Sequence, residues 1–458
     1  MDELLELERA AEEIGTLAAG FGLESGGIQF ELCPADIIYT FGAYGMPTRF
    51  AHWSFGKQFY RLKTQYDYNL SRIYELVINS DPCQAFLLEG NSLVQNKLVM
   101  AHVLAHSDFF RHNWHFRFTD RKNILEVMAL HAARMREYEA AHGRREVEIF
   151  LDACLALQEH INPYPWLART KEEESKSEPP PTGYDDLWVL DRRETKGPAP
   201  AASRKNPPRP EKDLLGFVME NGYQLEDWQR DIIAMIREEM RYFWPQIETK
   251  IMNEGWATFW HTRILRELDL PEAEAVEYAK LQGQLLQPSF MVLNPYLVGV
   301  RIFEDIEKRW DEAPEAGHGR EKLFEVREIE SDMSFLRNYL TKDLVSELDL
   351  YLYKRVGSSW VVTEKKWEKV RDTLVQSLNN GGFPYIEVLD GDYGHRGELY
   401  LKHLFEGRPL DVLYVERTLP YVYLLWGRPV HLETVADGKT TLFSYDGKKN
   451  SRQVIGEG

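Results

Sequence analysis

The sequence NEGWATFWH at residues 253–261 decides how this chain is interpreted. On a predicted helix it places Glu254 and His261 seven residues apart on one face, within an otherwise bulky apolar segment. A buried ionisable group costs several kcal/mol unless it is paired, hydrogen-bonded or bound to a metal. The segment therefore needs a partner elsewhere in the chain. We predict that this partner is the segment HVLAH at residues 102–106.

A metal site is the chemistry that this pairing favours. His102 and His106 are four positions apart, so a helix stacks both imidazoles on one face, as in sites where one helix gives two ligands to zinc. Glu254 would be the third ligand. Zincins also carry a glutamate directly after the first histidine, and here that position is Val103. The alternative is structural: both histidines could bond to backbone carbonyls or carboxylates in the core.

Several other residues are candidates for the same site. Glu89 or Asp108 could replace the missing general base, and Asp108 could also accept a hydrogen bond from His106. His52 and Lys57 lie in an aromatic segment that could form the wall of a cleft or simply anchor in the core. His261 completes the pocket candidates.

One glycine carries a separate prediction. Gly255 lies inside the predicted helix, where glycine costs about 1 kcal/mol relative to alanine. We expect another backbone or a bound group to approach the helix closely there.

Composition excludes several classes of protein. The chain has 458 residues and a formal net charge of −18, which disfavours nucleic acid and anionic membrane surfaces as partners. No apolar run is long enough to span a bilayer, and the three widely spaced cysteines suggest reduced thiols. There is no Walker A motif and no GxGxxG after a strand, so no nucleotide cofactor is expected. The sequence thus predicts a cytoplasmic globular protein.

The fold is predicted to be mainly α, a multi-helix body with a small α+β C-terminal domain. We divide the chain into an N-terminal helical part at 1–170, a flexible insertion rich in Pro, Glu and Lys at 171–210, a second helical part at 211–345 and the C-terminal domain at 346–458. Residues 92–95 predict a capping box at the start of the His102 helix. Short β-like runs are predicted at 75–79, 385–388, 398–401, 412–415 and 421–425.

These motifs resemble those of the stage V sporulation protein R family, the SpoVR-like proteins. The resemblance covers about residues 25–450 and rests on long matching segments: HWSFGK at 52–57, ELVINS at 75–80, EGNS at 89–92, AHVLAHSDFF at 101–110, MNEGWATFWH at 252–261 and NPY at 294–296. It implies a bacterial cytoplasmic protein, in the mother cell of a spore former, that is needed to assemble the peptidoglycan of the spore cortex. It also implies a pathway shared with a serine protein kinase.

A further similarity concerns the scaffold. The HxxxH motif followed by an EGWA helix is similar to helical metallopeptidases of the gluzincin type, which implies His102, His106 and Glu254 as metal ligands. Val103 departs from that pattern.

Two hypotheses follow. The first is a metal-dependent hydrolase, with zinc or another divalent cation, acting on a peptide or cell-wall precursor. The second is a non-catalytic scaffold or regulator with protein partners in a kinase-linked sporulation or stress pathway.

Overall fold

The computed structural model describes residues 2–67, 75–165, 206–288, 292–313, 317–357 and 359–457. Two compact units are formed, and each is built from two separate stretches of chain. The first contains Met1–Ala140 and Tyr242–Phe383, and the second contains Ala141–Arg241 and Pro384–Gly458. These groupings cross the borders expected near residues 170 and 345, because periodicity within a segment does not show which distant segment its apolar face contacts. Most of the expected insertion at 171–210 lies outside the described residues.

Helices dominate the first unit, as the sequence predicts. A three-stranded sheet in the order β1-β3-β2 adjoins them, with β1 parallel and β2 antiparallel to β3, and β4 and β5 form a separate hairpin. The elements are α1 Asp2–Gly20, β1 Ile28–Cys33, α2 Ala35–Tyr44, α3 Trp53–Asp67, β2 Glu75–Ile78, β3 Cys83–Leu88, α4 Leu93–His112, α5 Ile124–His142, α8 Asp227–Glu248, α9 Lys250–Glu267, α10 Glu272–Leu285, α11 Pro295–Glu312, α12 Gly319–Ile329, α13 Asp332–Tyr339, α14 Lys342–Glu347, β4 Leu352–Val356, β5 Ser359–Glu364 and α15 Trp367–Ser377. Helix α5 ends in the second unit, and helix α8 begins there and ends in the first.

The second unit contains a five-stranded sheet in the order β10-β9-β8-β7-β6, with β7 and β8 parallel and the other neighbours antiparallel. Its elements are α6 Arg144–Leu155, α7 Leu214–Asn221, β6 Ile386–Tyr393, β7 Glu398–His403, α16 Val412–Trp426, β8 Val430–Ala436, β9 Lys439–Tyr445 and β10 Asn450–Glu457. No helix in the described ranges is both long and apolar enough to cross a membrane.

Two of the predicted β-like runs are wrong. Residues 412–415 and 421–425 belong to one helix, α16, whose first turn is capped by the Asp411 side chain. Parallel neighbours such as β7 and β8 need a crossover connection, which is usually a helix. That topological requirement outweighs the strand preference of the valines and tyrosines in the segment. The runs at 75–79, 385–388 and 398–401 do coincide with β2, β6 and β7, although β6 continues to Tyr393 and β7 to His403.

Helix α4 begins where the sequence predicts. The Ser92 hydroxyl accepts the Gln95 backbone N–H at 3.3 Å, and the Gln95 side chain accepts the Ser92 N–H at 2.9 Å. These bonds satisfy donors that the first helical turn would otherwise leave unpaired. From Val99 to Phe110 every residue of α4 is buried, so the helix runs through the core of the first unit.

The prediction for Gly255 is confirmed by the crossing of α9 and α11. A Cβ atom on Gly255 would lie 2.4 Å from the Gly299 Cα, and one on Gly299 would lie 2.3 Å from the Ile251 carbonyl oxygen. Both obstacles are backbone atoms, which a rotamer change cannot move. The two glycines therefore let α9 and α11 pack in backbone contact.

Asp108 is a structural centre of this unit. Its buried carboxylate receives hydrogen bonds from Arg327 at 2.8 and 2.9 Å, from the Trp256 indole at 3.0 Å and from the Glu24 backbone N–H at 2.8 Å. Burial by itself would raise the pKa of Asp108, but bonds from His112 and Arg327 outweigh it and lower the pKa. A carboxylate with this many donors holds α4, α9 and α12 together.

We expect Gly255→Ala and Gly299→Ala each to lower the free energy of unfolding by about 1–3 kcal/mol or more, because the added methyl group overpacks a backbone contact. Urea denaturation measures the change. Gly283→Ala in α10 is the matched control: no atom lies within 4 Å of its Cβ position, so alanine should instead stabilise by about 0.5–1 kcal/mol. Equal effects at the three positions would contradict this account.

His112 makes stability depend on pH. Its hydrogen bond to Asp108 raises its pKa against the opposing effect of burial. A raised histidine pKa stabilises fully below the unfolded value of about 6.5, and the contribution is lost as pH rises through the folded value. We expect His112→Gln to cost about 1 kcal/mol near pH 6, where an imidazolium also suits the helix C-terminus, and less near pH 9. Urea titrations at the two pH values compare the variant with the native sequence. A pH-independent difference would contradict this.

Candidate metal centre

The two imidazoles of α4 are neighbours on one face, as the spacing predicts. The ring centroids of His102 and His106 lie 4.5 Å apart with the ring planes nearly perpendicular, at 86°. Their exposed fractions are only 2 % and 3 %. Two polar rings at this depth each need a defined partner.

Helix α9 brings Glu254 to the same point. Its Oε2 atom lies 3.5 Å from Nε2 of His102 and 3.5 Å from Nε2 of His106. One ligand atom from each of the three residues falls within 4.8 Å of the others. This is the convergence that the sequence predicts for residues 102–106 and 253–261.

A chain of hydrogen bonds favours one tautomer of His102. The Thr262 hydroxyl donates to the Thr258 carbonyl at 2.7 Å and so accepts from the Gln282 amide N–H at 2.9 Å. Gln282 then presents its oxygen, at 2.8 Å, to Nε2–H of His261. Since Nε2 of neutral His261 carries the hydrogen, its Nδ1 accepts from Nδ1–H of His102 at 2.7 Å. This leaves the Nε2 lone pair of His102 directed towards Glu254.

The surroundings of His261 favour its uncharged form. Burial lowers its pKa to about 3, and the proximity of His102 adds to the effect. The imidazole is therefore uncharged near pH 7 and keeps one donor and one acceptor nitrogen, as the chain of bonds requires.

Asn253 orients His106 as His261 orients His102. Its Nδ1 lies 2.8 Å from Oδ1 of Asn253, and an amide oxygen can only accept, so Nδ1 donates. In its uncharged form His106 directs its Nε2 lone pair towards Glu254. Two lone pairs and one carboxylate therefore face a common point, where a cation would be stabilised.

Ligand spacing tests which cation fits. Zinc bonds of 2.0–2.1 Å to nitrogen and oxygen at tetrahedral angles separate ligand atoms by about 3.3–3.4 Å. Both N···O distances here are 3.5 Å. Two imidazoles and one carboxylate are also the donor set of catalytic zinc sites, in which the fourth position is open. The donor set and the two distances to Glu254 fit zinc or a similar divalent ion.

This cluster lies in the wall of a large cavity, with a volume of about 940 Å³. The lining is mostly apolar, with several side-chain amides and very few charges. Within the described parts of the chain, Lys250 is its only lysine or arginine and Glu254 its only acid. Its lining residues are Leu76, Val77, Gln95, Leu98, Val99, His102, His106, Phe110, Gln246, Lys250, Asn253, Glu254, Leu281, Gln284, Leu285, Val292, Leu293, Asn294, Pro295 and Tyr296.

Four of the candidate residues lie elsewhere. Glu89 is exposed in the turn after β3, and Lys57 is exposed on α3. His52 is buried, and its Nδ1 bonds to the Ser54 hydroxyl at 2.7 Å. Asp108 bonds to Arg327 and Trp256. None of the four lines the cavity. Their catalytic or binding roles remain predictions.

Sequence reasoning missed Asn253 and Gln282. Asn253 directly precedes Glu254 in the quoted motif, and its side-chain oxygen can accept a hydrogen bond from a histidine N–H. Nothing in the sequence pointed to Gln282, because α10 has no buried residue among those described and has the pattern of a surface helix.

Two family models and a protein of Escherichia coli match this chain. The family model "SpoVR like protein" matches residues 2–383, and the model "SpoVR-like C-terminal domain" matches residues 384–437. The uncharacterized protein YcgB of Escherichia coli (strain K12) is 31% identical over 462 residues, covering 92% of this chain and 90% of the relative.

No solved structure matches the chain. The mainly helical architecture is as predicted. The predicted likeness to a gluzincin scaffold is not supported, because it rested on two short motifs and no solved structure matches the chain. The family models cover nearly the whole chain, and the chain therefore belongs to the SpoVR-like protein family.

Proposed function

We propose that the cavity of the first unit is the active site of a metal-dependent hydrolase, with His102, His106 and Glu254 as ligands of zinc or another divalent cation. The supporting observation is that Nε2 of each histidine lies 3.5 Å from the Glu254 carboxylate, while a neighbouring side chain hydrogen-bonds to each Nδ1. Bound zinc would polarise a carbonyl group and lower the pKa of a coordinated water.

The chain's own residues have distinct tasks in this proposal. Glu254 brings one negative charge, which leaves a divalent site with a net charge of +1. Asn253 and His261 hold the two imidazoles in the ligating tautomer and orientation. Apolar residues on α4, such as Val99 and Phe110, limit water and lower the local dielectric.

The reaction class that fits is hydrolysis of an amide. Water adds to the carbonyl carbon, the C–N bond breaks, and the products are a carboxylic acid and an amine. A peptide or a cell-wall precursor has such bonds, and the family name points to sporulation. We therefore propose a role in assembling the spore cortex, in the cytoplasm of the mother cell.

One observation favours a second candidate function. Val103 occupies the position of the zincin general base, and Glu254 is the only acid among the described cavity residues. A metal held without a base could instead stabilise a scaffold or regulator in the kinase-linked pathway. In that case the site would bind its ion, but the cavity would catalyse no amide hydrolysis.

We expect purified protein, incubated with zinc and desalted, to retain about one equivalent by elemental analysis. His102→Ala and the isosteric Glu254→Gln should lose it, because each removes one of three ligands. Zinc at about 100 times its Kd should raise the free energy of unfolding by about 2.7 kcal/mol. His52→Gln is the matched control, a buried histidine outside the cavity, and should retain the ion. Zinc retained by Glu254→Gln, or absent from the native sequence, would refute the metal centre.

Replacing the residues that hydrogen-bond to the ligand histidines is expected to weaken zinc binding only in part. Asn253→Leu and His261→Phe should each weaken zinc binding by about 10–100-fold, without abolishing it, because the ligand histidines lose their orientation. Competition against a fluorescent zinc chelator measures the affinity. Thermal unfolding of the zinc-free variants separates this effect from loss of fold. Unchanged affinity in both variants would show that the hydrogen bonds do not tune the ligands.

A further inference from the structure

Lys250 has an unusual position in the cavity. It is the first residue of α9, and Glu254 follows one helical turn later, about 6 Å along the helix axis. Both residues line the same cavity. A cationic side chain thus stands close to the proposed metal ligands.

Lys250 is exposed and makes no direct ion pair with a described carboxylate, in a chain with 73 acidic and 55 basic residues. Its charge nevertheless opposes the effect of burial, which raises the pKa of Asp332 to about 8. The nearby Asp332 carboxylate is buried and accepts the backbone N–H groups of Ile251 and Met252 at 2.7 and 2.8 Å. Asp332 therefore caps the helix.

The helix itself does not favour a lysine here, because a positive charge in the first turn opposes the helix dipole. The ammonium group is exposed and lines the cavity, so it is also available to the contents of the cavity.

The other lining residues indicate what kind of molecule would fit the cavity. Leu281, Leu285 and Leu293 offer apolar surface, and Gln246 and Gln284 offer amides that can donate and accept hydrogen bonds. This combination suits a molecule with apolar side chains and amide groups. A volume of about 940 Å³ admits several residues' worth of such a chain.

We infer that the cavity binds a peptide-like substrate bearing an anionic group, a carboxylate or a phosphate, which pairs with Lys250 about one helical turn from the metal ligands. This inference rests on the proposed metal-dependent function and names its substrate class. Lys250 is then a specificity-determining residue.

The test uses three hydroxamates that differ at one end. Each binds zinc through the hydroxamate, and the other end of a two-carbon spacer carries a carboxylate, its neutral carboxamide or a phosphonate. Calorimetry measures their Kd for zinc-loaded native protein, for Lys250→Gln and for Lys280→Gln. Lys280 is an exposed lysine on α10 outside the cavity and serves as the control.

We expect the native protein and Lys280→Gln to bind an anionic hydroxamate about fivefold more tightly than the carboxamide, as for an exposed ion pair of about 1 kcal/mol. Lys250→Gln should lose this preference and bind the carboxamide unchanged. The preference should shrink with added salt. The tighter of the carboxylate and the phosphonate identifies the anionic group.

Equal binding of charged and neutral probes by the native protein would overturn the inference, as would a preference that survives in Lys250→Gln. Failure of every hydroxamate to bind zinc-loaded protein would overturn it too. A protein that takes up no zinc fails at the earlier step, which a zinc titration detects, and the metal centre and this inference then fall together.

Discussion

The contact between α4 and α9 places two imidazoles and a carboxylate around one buried point, and this juxtaposition constrains everything near it. Groups of this kind are costly to bury unless each is satisfied. Asn253 and His261 satisfy the outer nitrogens, and Glu254 and the inner nitrogens are left facing each other. The contact of α4 with α9 thus brings three potential metal ligands together.

The close approach of α11 to the other side of α9 makes this placement rigid. Gly255 is adjacent to Glu254, so the backbone contact with Gly299 fixes the helix at the residue where the carboxylate is attached. Asp108 adds a second restraint through Trp256 on the same helix. A ligand on a helix held from two sides keeps its geometry better than a ligand on a loop.

The sequence alone was sufficient for the pairing of the HxxxH segment with Glu254, because spacing on a helix and the cost of buried charge depend on local residue types. It also predicted the close contact at Gly255. It failed where tertiary context decides. Residues 412–426 have strand-forming side chains but serve as a crossover helix, and Asp108, the expected partner of His106, bonds instead to Arg327 from a distant helix. No periodicity within either segment carries that information.

Helix α10 contributes both to the cavity wall and to the hydrogen bonds behind His102. Leu281 and Leu285 face the cavity, while Gln282 between them holds His261 and, through it, the Nδ1 proton of His102. A molecule that fills the cavity would therefore contact the same helix that orients His261 and, through it, His102. Occupancy of the cavity and the orientation of the His102 ring are in this way connected through α10.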